Sequence, residues 1–282
     1  MTERMIAGNG VQLCTEPFGD RGDPPILLVM GVGASMLWWD ADFCRGLAAG
    51  GRYVIRYDHR DTGRSTTFPP GNPGYTGAAL TTDAVAVLDG YGVAAAHVVG
   101  MSAGGGIAQE LALDHADRVR SLVLVSTSPA VPVARTLPPP TETYRRFLAT
   151  AHVDWSDRES VIRYLVDYWR ALAGDRPFDE SACRDLIRRD IARARDVAAA
   201  QNHDLLADAG PANRALSSIS APTLVVHGTA DPMFPLAHGR ALAQEIPTAH
   251  LLPLEGAGHG FDRVDWSTVA PAILSHTADA LR

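Results

Sequence analysis

The pentapeptide Gly100-Met101-Ser102-Ala103-Gly104 sets one hydroxyl between two glycines, after the apolar run "AHVVG" and before the helix-like "GIAQELALDHADRV". A Gly-x-Ser-x-Gly string arises by chance in roughly one chain in ten of this length, so the string alone decides little. Its position decides more. A serine at the tip of a sharp strand-to-helix turn has a strained backbone, and side chains two positions away on either side would collide there. Gly100 and Gly104 remove that collision, and Gly105 and Gly106 are read as allowing the helix to approach the sheet. The helix start then offers free N–H groups and a partial positive charge to a developing anion.

A serine hydroxyl near neutral pH needs a base, and the base needs a third group to fix its tautomer. The acid candidate is Asp231 in "TLVVHGTADPMFP", just past an apolar strand. Asp204 and Asp208, in a helical stretch, and Asp262, beyond the histidine, lack a strand end to present them. The base candidate is His259 in "LLPLEGAGHGFD", in a loop loosened by Gly256, Gly258 and Gly260. Of the other histidines, His97 and His227 read as strand residues. His59, His115, His238 and His276 read as loop or helix-surface residues, while His152 and His203 fall where they would touch a substrate. Two N–H donors complete an acyl-transfer site: Ala103, next to the nucleophile, and Val32, in the loop after "ILLVMG".

These residues require a scaffold of strand ends, and the chain supplies one. Apolar runs recur at "PILLVM", "YVIRYD", "AHVVG", "SLVLVS", "PTLVVHG" and "HLLPLEG", with helix-like segments between most of them. Such alternation predicts an α/β fold, a doubly wound and mostly parallel sheet covered on both faces. Between about residues 131 and 220 the alternation stops, and the sequence reads as helical through "YRRFLATAH", "SVIRYLVDYWRALAG" and "SACRDLIRRDIARARDVAAAQNHDLL". The expected organisation is a body of 1–130 and 221–282 with a helical cap insertion, 131–220.

Composition removes several classes of function. The chain has 282 residues, is 46% apolar and carries a net charge of −7, so it can bury a large core and holds no general attraction for nucleic acid or an anionic membrane. All 25 basic residues are arginine, which removes Schiff-base, P-loop and Ser-Lys chemistry. Cys14, Cys44 and Cys183 lack metal or redox spacing and read as reduced thiols. The amino terminus lacks the charge-then-apolar pattern of a secretory signal, so a cytoplasmic location is expected. No cofactor and no metal is implied.

The Ser, Asp, His order, the glycine-flanked serine and the strand-end positions resemble the α/β-hydrolase fold family from about residue 24 to the end. More narrowly, "LLVMGVGASMLWWD", "RYVIRYDHRDTGRST" and "IPTAHLLPLEGAGHG" resemble the aclacinomycin methylesterase type of serine esterase, which cleaves a methyl ester from a polyketide aglycone. "SAGGG" also resembles cofactor-free haloperoxidases. The resemblance implies Ser102 as nucleophile, His259 as base and Asp231 as acid, acting on a small-molecule carboxylic ester. Perhydrolase, lactonase, thioesterase and C–C hydrolase chemistry remain alternatives on the same triad, and a non-turnover binding protein is the alternative of another class. Asp58, Arg60 and Asp61 are expected to form a loop ion-pair network. The aromatics Tyr144, Phe147, Trp155, Tyr164, Tyr168, Trp169 and Phe178, with Trp38, Trp39 and Phe234, would either line a pocket or pack the insertion on the body.

Overall fold

The computed structural model describes residues 2–206 and 214–279; Asp208 lies outside them. The six apolar runs form strands β3 (Pro25–Val29), β4 (Tyr53–Tyr57), β5 (Ala96–Met101), β6 (Val119–Val125), β7 (Thr223–Gly228) and β8 (Ala249–Leu254). They are preceded by a hairpin that the apolar runs do not announce, β1 (Arg4–Gly8) and β2 (Val11–Phe18). Asn9 and Gly10 turn it with φ of 50° and 75°, the positive values that an Asn-Gly pair tolerates. The eight strands lie in the order β1-β2-β4-β3-β5-β6-β7-β8. β2 joins β4 antiparallel, and every later pairing is parallel.

The central strands are buried on both faces, so neighbouring residues feed different cores. Leu27, Val29, Val98, Leu122 and Leu124 belong to one apolar cluster, and Ile26, Leu28, Val99, Val123 and Val125 to the other. Period-two alternation of side chains is the reason. Helices α2 (Ala78–Tyr91) and α3 (Ala103–Asp114) contribute to the first cluster. α1 (Ala41–Ala49) and α8 (Trp266–Asp279) contribute to the second, and α7 (Ala237–Glu245) covers β7 and β8. From β3 the chain moves to β4 on one side, and from β5 to β6 on the other. The strand ends Val29 and Gly100, which are paired, therefore mark the point where the winding reverses. Open α/β sheets leave a crevice there.

Between β6 and β7 run α4 (Glu142–Thr150), α5 (Arg158–Leu172) and α6 (Glu180–Arg193), capped by Thr141, Asp157 and Asp179 side chains. The long helical stretch expected from Ser181 onward is broken. α6 ends at Arg193, and a 3-10 segment, Ala198–Leu205, follows. Two bonds explain the break: Arg195 N–H donates to Gly63 O at 2.9 Å, and Asp196 accepts Ala198 N–H at 2.9 Å, starting a new turn. Among the described residues, no helix is long and apolar enough to cross a membrane.

Candidate active site

Ser102 joins β5 to α3 with φ 55° and ψ −123°, a region that a side chain adopts only under constraint. The constraint is visible on each side. A Cβ at Gly100 would overlap the Gly104 carbonyl, and one at Gly104 would overlap the Val29 and Met30 carbonyls. One at Gly105 would sit 2.6 Å from the Thr127 side chain. Around Gly106 nothing lies within 4 Å, so close packing requires Gly105 but not Gly106. Ser102 N–H donates to Val125 O at 2.9 Å, and Thr127 Oγ1 donates to Ser102 O at 2.7 Å. The strand next door thus holds the bend in place.

Asp231 follows β7, with its carboxylate fully buried. Oδ1 accepts Met233 and Phe234 N–H, each at 2.9 Å, leaving Oδ2 to meet His259 Nδ1 at 2.9 Å. His227 Nε2 also lies 3.6 Å from Oδ2, yet it donates to Phe234 O at 2.7 Å, and burial lowers its pKa. It is a neutral strand residue, as its position in β7 suggests.

His259 follows β8 and is 8% exposed. Its loop is not loose. A Cβ at Gly258 would overlap Leu172 O, His259 N–H donates to that oxygen at 2.8 Å, and Gly174 bridges Ala257. The end of α5 therefore fixes the loop. Gly260, at φ 110°, is a conformational requirement, and its N–H donates to Ser126 Oγ at 2.9 Å. With Nδ1 committed to Asp231, His259 Nε2 is buried without a hydrogen-bond partner. It makes no hydrogen bond to Ser102 Oγ.

The loop after β3 reaches the serine from the other side. A Cβ on Gly31 would stand 3.2 Å from Ser102 Cβ and 3.7 Å from Oγ. Among the described residues, neither Val32 N–H nor Ala103 N–H has an acceptor. For Ala103 this is the ordinary state of a first-turn helix donor.

Several expected surroundings differ. His203, read as a substrate contact, has both ring nitrogens engaged by backbone: it is buried, with Nδ1 accepting Gly33 N–H at 2.9 Å and Nε2 bonded to Arg60 O at 2.8 Å. His59 and His238 are buried rather than surface residues. Asp58, Arg60 and Asp61 do not pair with one another. Asp58 meets Arg193 of α6 at 2.7 Å, Arg60 binds Asp83 at 2.6 Å, and Asp61 accepts from Tyr75 at 2.6 Å and from Asn202 at 3.0 Å. Each anchors a different element. Burial pushes the thiols of Cys14, Cys44 and Cys183 up to about 12, which leaves them protonated and inert.

Beside His259 opens a cavity of about 1080 Å³, with Met101, Trp38, Trp39, Trp169 and Phe178 in its wall. Ser102 is not among its lining residues. In that wall Trp38 and Trp169 stack on each other at 3.9 Å. Tyr144, Phe147, Trp155, Tyr164 and Tyr168 pack against one another, in neither of the two expected roles. Phe234 lies 5.6 Å from the His259 ring. Among the described residues, no three His, Cys, Asp or Glu side chains gather as metal ligands.

The doubly wound sheet, the serine at the strand-to-helix bend and the order of the strand-end residues define a class, and residues 24–261 match the family described as the alpha/beta hydrolase fold. The chain belongs to the α/β-hydrolase family. It is 34% identical over 300 residues to rhodomycin D methylesterase DnrP of Streptomyces peucetius, covering 99% of each chain. Among solved structures, it resembles the enol-lactonase of Burkholderia xenovorans (TM-score 0.73, 28% identity, 99% of each chain). It also shares the fold of a Rhodococcus esterase (TM-score 0.76, 23% identity, 98% of this chain and 99% of that one).

Proposed function

We propose that the protein is a serine hydrolase that cleaves a carboxylic ester through an acyl-enzyme. The observation that carries this reading is the His259 Nδ1–Asp231 Oδ2 bond of 2.9 Å on a buried ring whose other nitrogen has no partner. Such a nitrogen is free to take a proton. Ser102 Oγ attacks the ester carbonyl as His259 Nε2 accepts its proton, and Asp231 holds the ring and steadies the imidazolium. Val32 and Ala103 N–H groups bind the oxyanion. His259 then returns the proton to the departing alcohol. A water, deprotonated by the same nitrogen, releases the acid and restores Ser102.

The methylesterase relative and the aromatic wall beside His259 support a methyl ester of a bulky aromatic or polyketide acid as the substrate. We further take 1–130 and 221–282 as the catalytic body and 131–220 as its cap. The reaction is assigned to the cytoplasm, in keeping with the three unpaired thiols. To test the reading, p-nitrophenyl esters, methyl esters of aromatic acids and lactones are offered to wild type and to Ser102→Ala. Wild type is expected to turn over at least the activated esters, and the variant is expected to lose activity by about 10⁴-fold or more. Equal rates in the two would overturn the proposal.

A further inference from the structure

The loop Met30–Gly33 is held at both ends by histidines from outside it. His59 Nε2 bonds to Met30 O at 2.8 Å, and His203 Nδ1 bonds to Gly33 N–H at 2.9 Å. A carbonyl only accepts, so each ring carries its hydrogen on Nε2: His59 donates to Met30 O and His203 to Arg60 O. That leaves Nδ1 of His203 as a lone pair aimed at Gly33. The two rings meet edge to face at 6.0 Å, and both are buried. Burial lowers both pKa values, that of His203 to about 3, so the neutral acceptor persists across the working range.

Between the two grips lies Val32, flanked by Gly31 and by Gly33 at φ 69°. Peptide planes bounded by glycines rotate easily. An oxyanion donor, however, contributes only if it is aimed before charge develops. Gly31 lies against Ser102, so a rotation of the Val32 peptide would turn its N–H away from the reacting carbon.

We propose that His203, supplied by the insertion between β6 and β7, is a positioning residue that locks the oxyanion loop, with His59 as the second grip. The inference rests on the serine-hydrolase reading above. It gives the insertion a task beyond enclosing substrate: seating it completes the oxyanion site. The adjacent Asn202 anchors the same segment without touching the loop, since its amide N–H donates to Asp61 and its oxygen accepts Gly71 N–H at 2.8 Å.

The test compares wild type, His203→Phe, His203→Gln and Asn202→Ala. Readouts are kcat and KM for p-nitrophenyl butyrate, Ki for phenylboronic acid (whose serine adduct is tetrahedral) and Tm. For His203→Phe, kcat is expected to fall about 10- to 100-fold with KM within threefold, and Ki to rise by the factor by which kcat/KM falls. His203→Gln, which keeps one acceptor and one donor, should fall between. Asn202→Ala is expected to lower Tm while leaving kcat and Ki within threefold. Wild-type kcat and Ki in His203→Phe, or the same kcat loss in Asn202→Ala, would overturn the positioning role. If His203→Phe does not fold, His203→Gln decides: a loss in kcat matched in Ki supports the role, and an unchanged kcat removes it. An inactive wild type that also ignores the boronate would instead strike the serine-hydrolase reading.

Discussion

Asp231 divides its work between two oxygens: one is held by backbone N–H groups, and the other meets the imidazole. Replacing Asp231 with Asn keeps the shape and one acceptor but presents an amide where a carboxylate stood, so the ring settles in the wrong tautomer. Asp231→Asn is expected to cut kcat about 10³- to 10⁴-fold with little change in KM, measured on an activated ester. The bend at Ser102 and the pairing of Asp231 with His259 were legible in the chain because each of these residues follows an apolar run and sits among turn-forming residues. His203 was not. Its partner Gly33 is 170 positions away, and no local pattern distinguishes a histidine that grips a distant loop from one that faces a substrate. The Asp58, Arg60 and Asp61 cluster misled for the same reason, since sequence neighbours on a tight loop point to different elements.

At the scale of elements, the strand-turn-helix around Ser102 is where glycine content divides into necessity and accident. Gly104→Ala drives a methyl into two backbone carbonyls that cannot move without unseating β3. It is expected to cost more than about 3 kcal/mol, read as a collapse of the denaturation midpoint together with activity. Gly106→Ala meets open space inside α3, and is expected to raise Tm by about 1–3 °C with kcat unchanged. A lowered Tm in the second variant would contradict the packing described. The parallel strands were readable from their apolar runs, and the hairpin of β1 and β2 was missed because its signal is the Asn-Gly turn, which a search for apolar runs passes over. The end of α6 was not readable, because it depends on a bond to the distant Gly63 as well as on the local turn at Asp196.

For the whole molecule, burying neutral imidazoles ties stability to pH. His97 is sealed inside β5, and burial lowers its pKa to about 4, while in the unfolded chain it titrates near 6.5. Below that value the unfolded chain binds the proton and the native one does not, so this contribution is full above pH 6.5 and declines as pH falls toward 4. The loss is about 1.4 kcal/mol per pH unit. Denaturant midpoints of wild type and His97→Gln, compared at pH 7 and pH 5, are expected to converge by about 2 kcal/mol at the lower pH. An unchanged gap would show that His97 titrates normally in the fold. The stacked indoles of Trp38 and Trp169 add a quite different property. One belongs to the segment after β3 and the other to α5, and at 3.9 Å their transition dipoles must couple. The enzyme therefore carries its own optical gauge: circular dichroism in the far ultraviolet should show a split tryptophan band that Trp169→Leu abolishes. Any ligand that lifts the insertion should dim that band without a dye or a label.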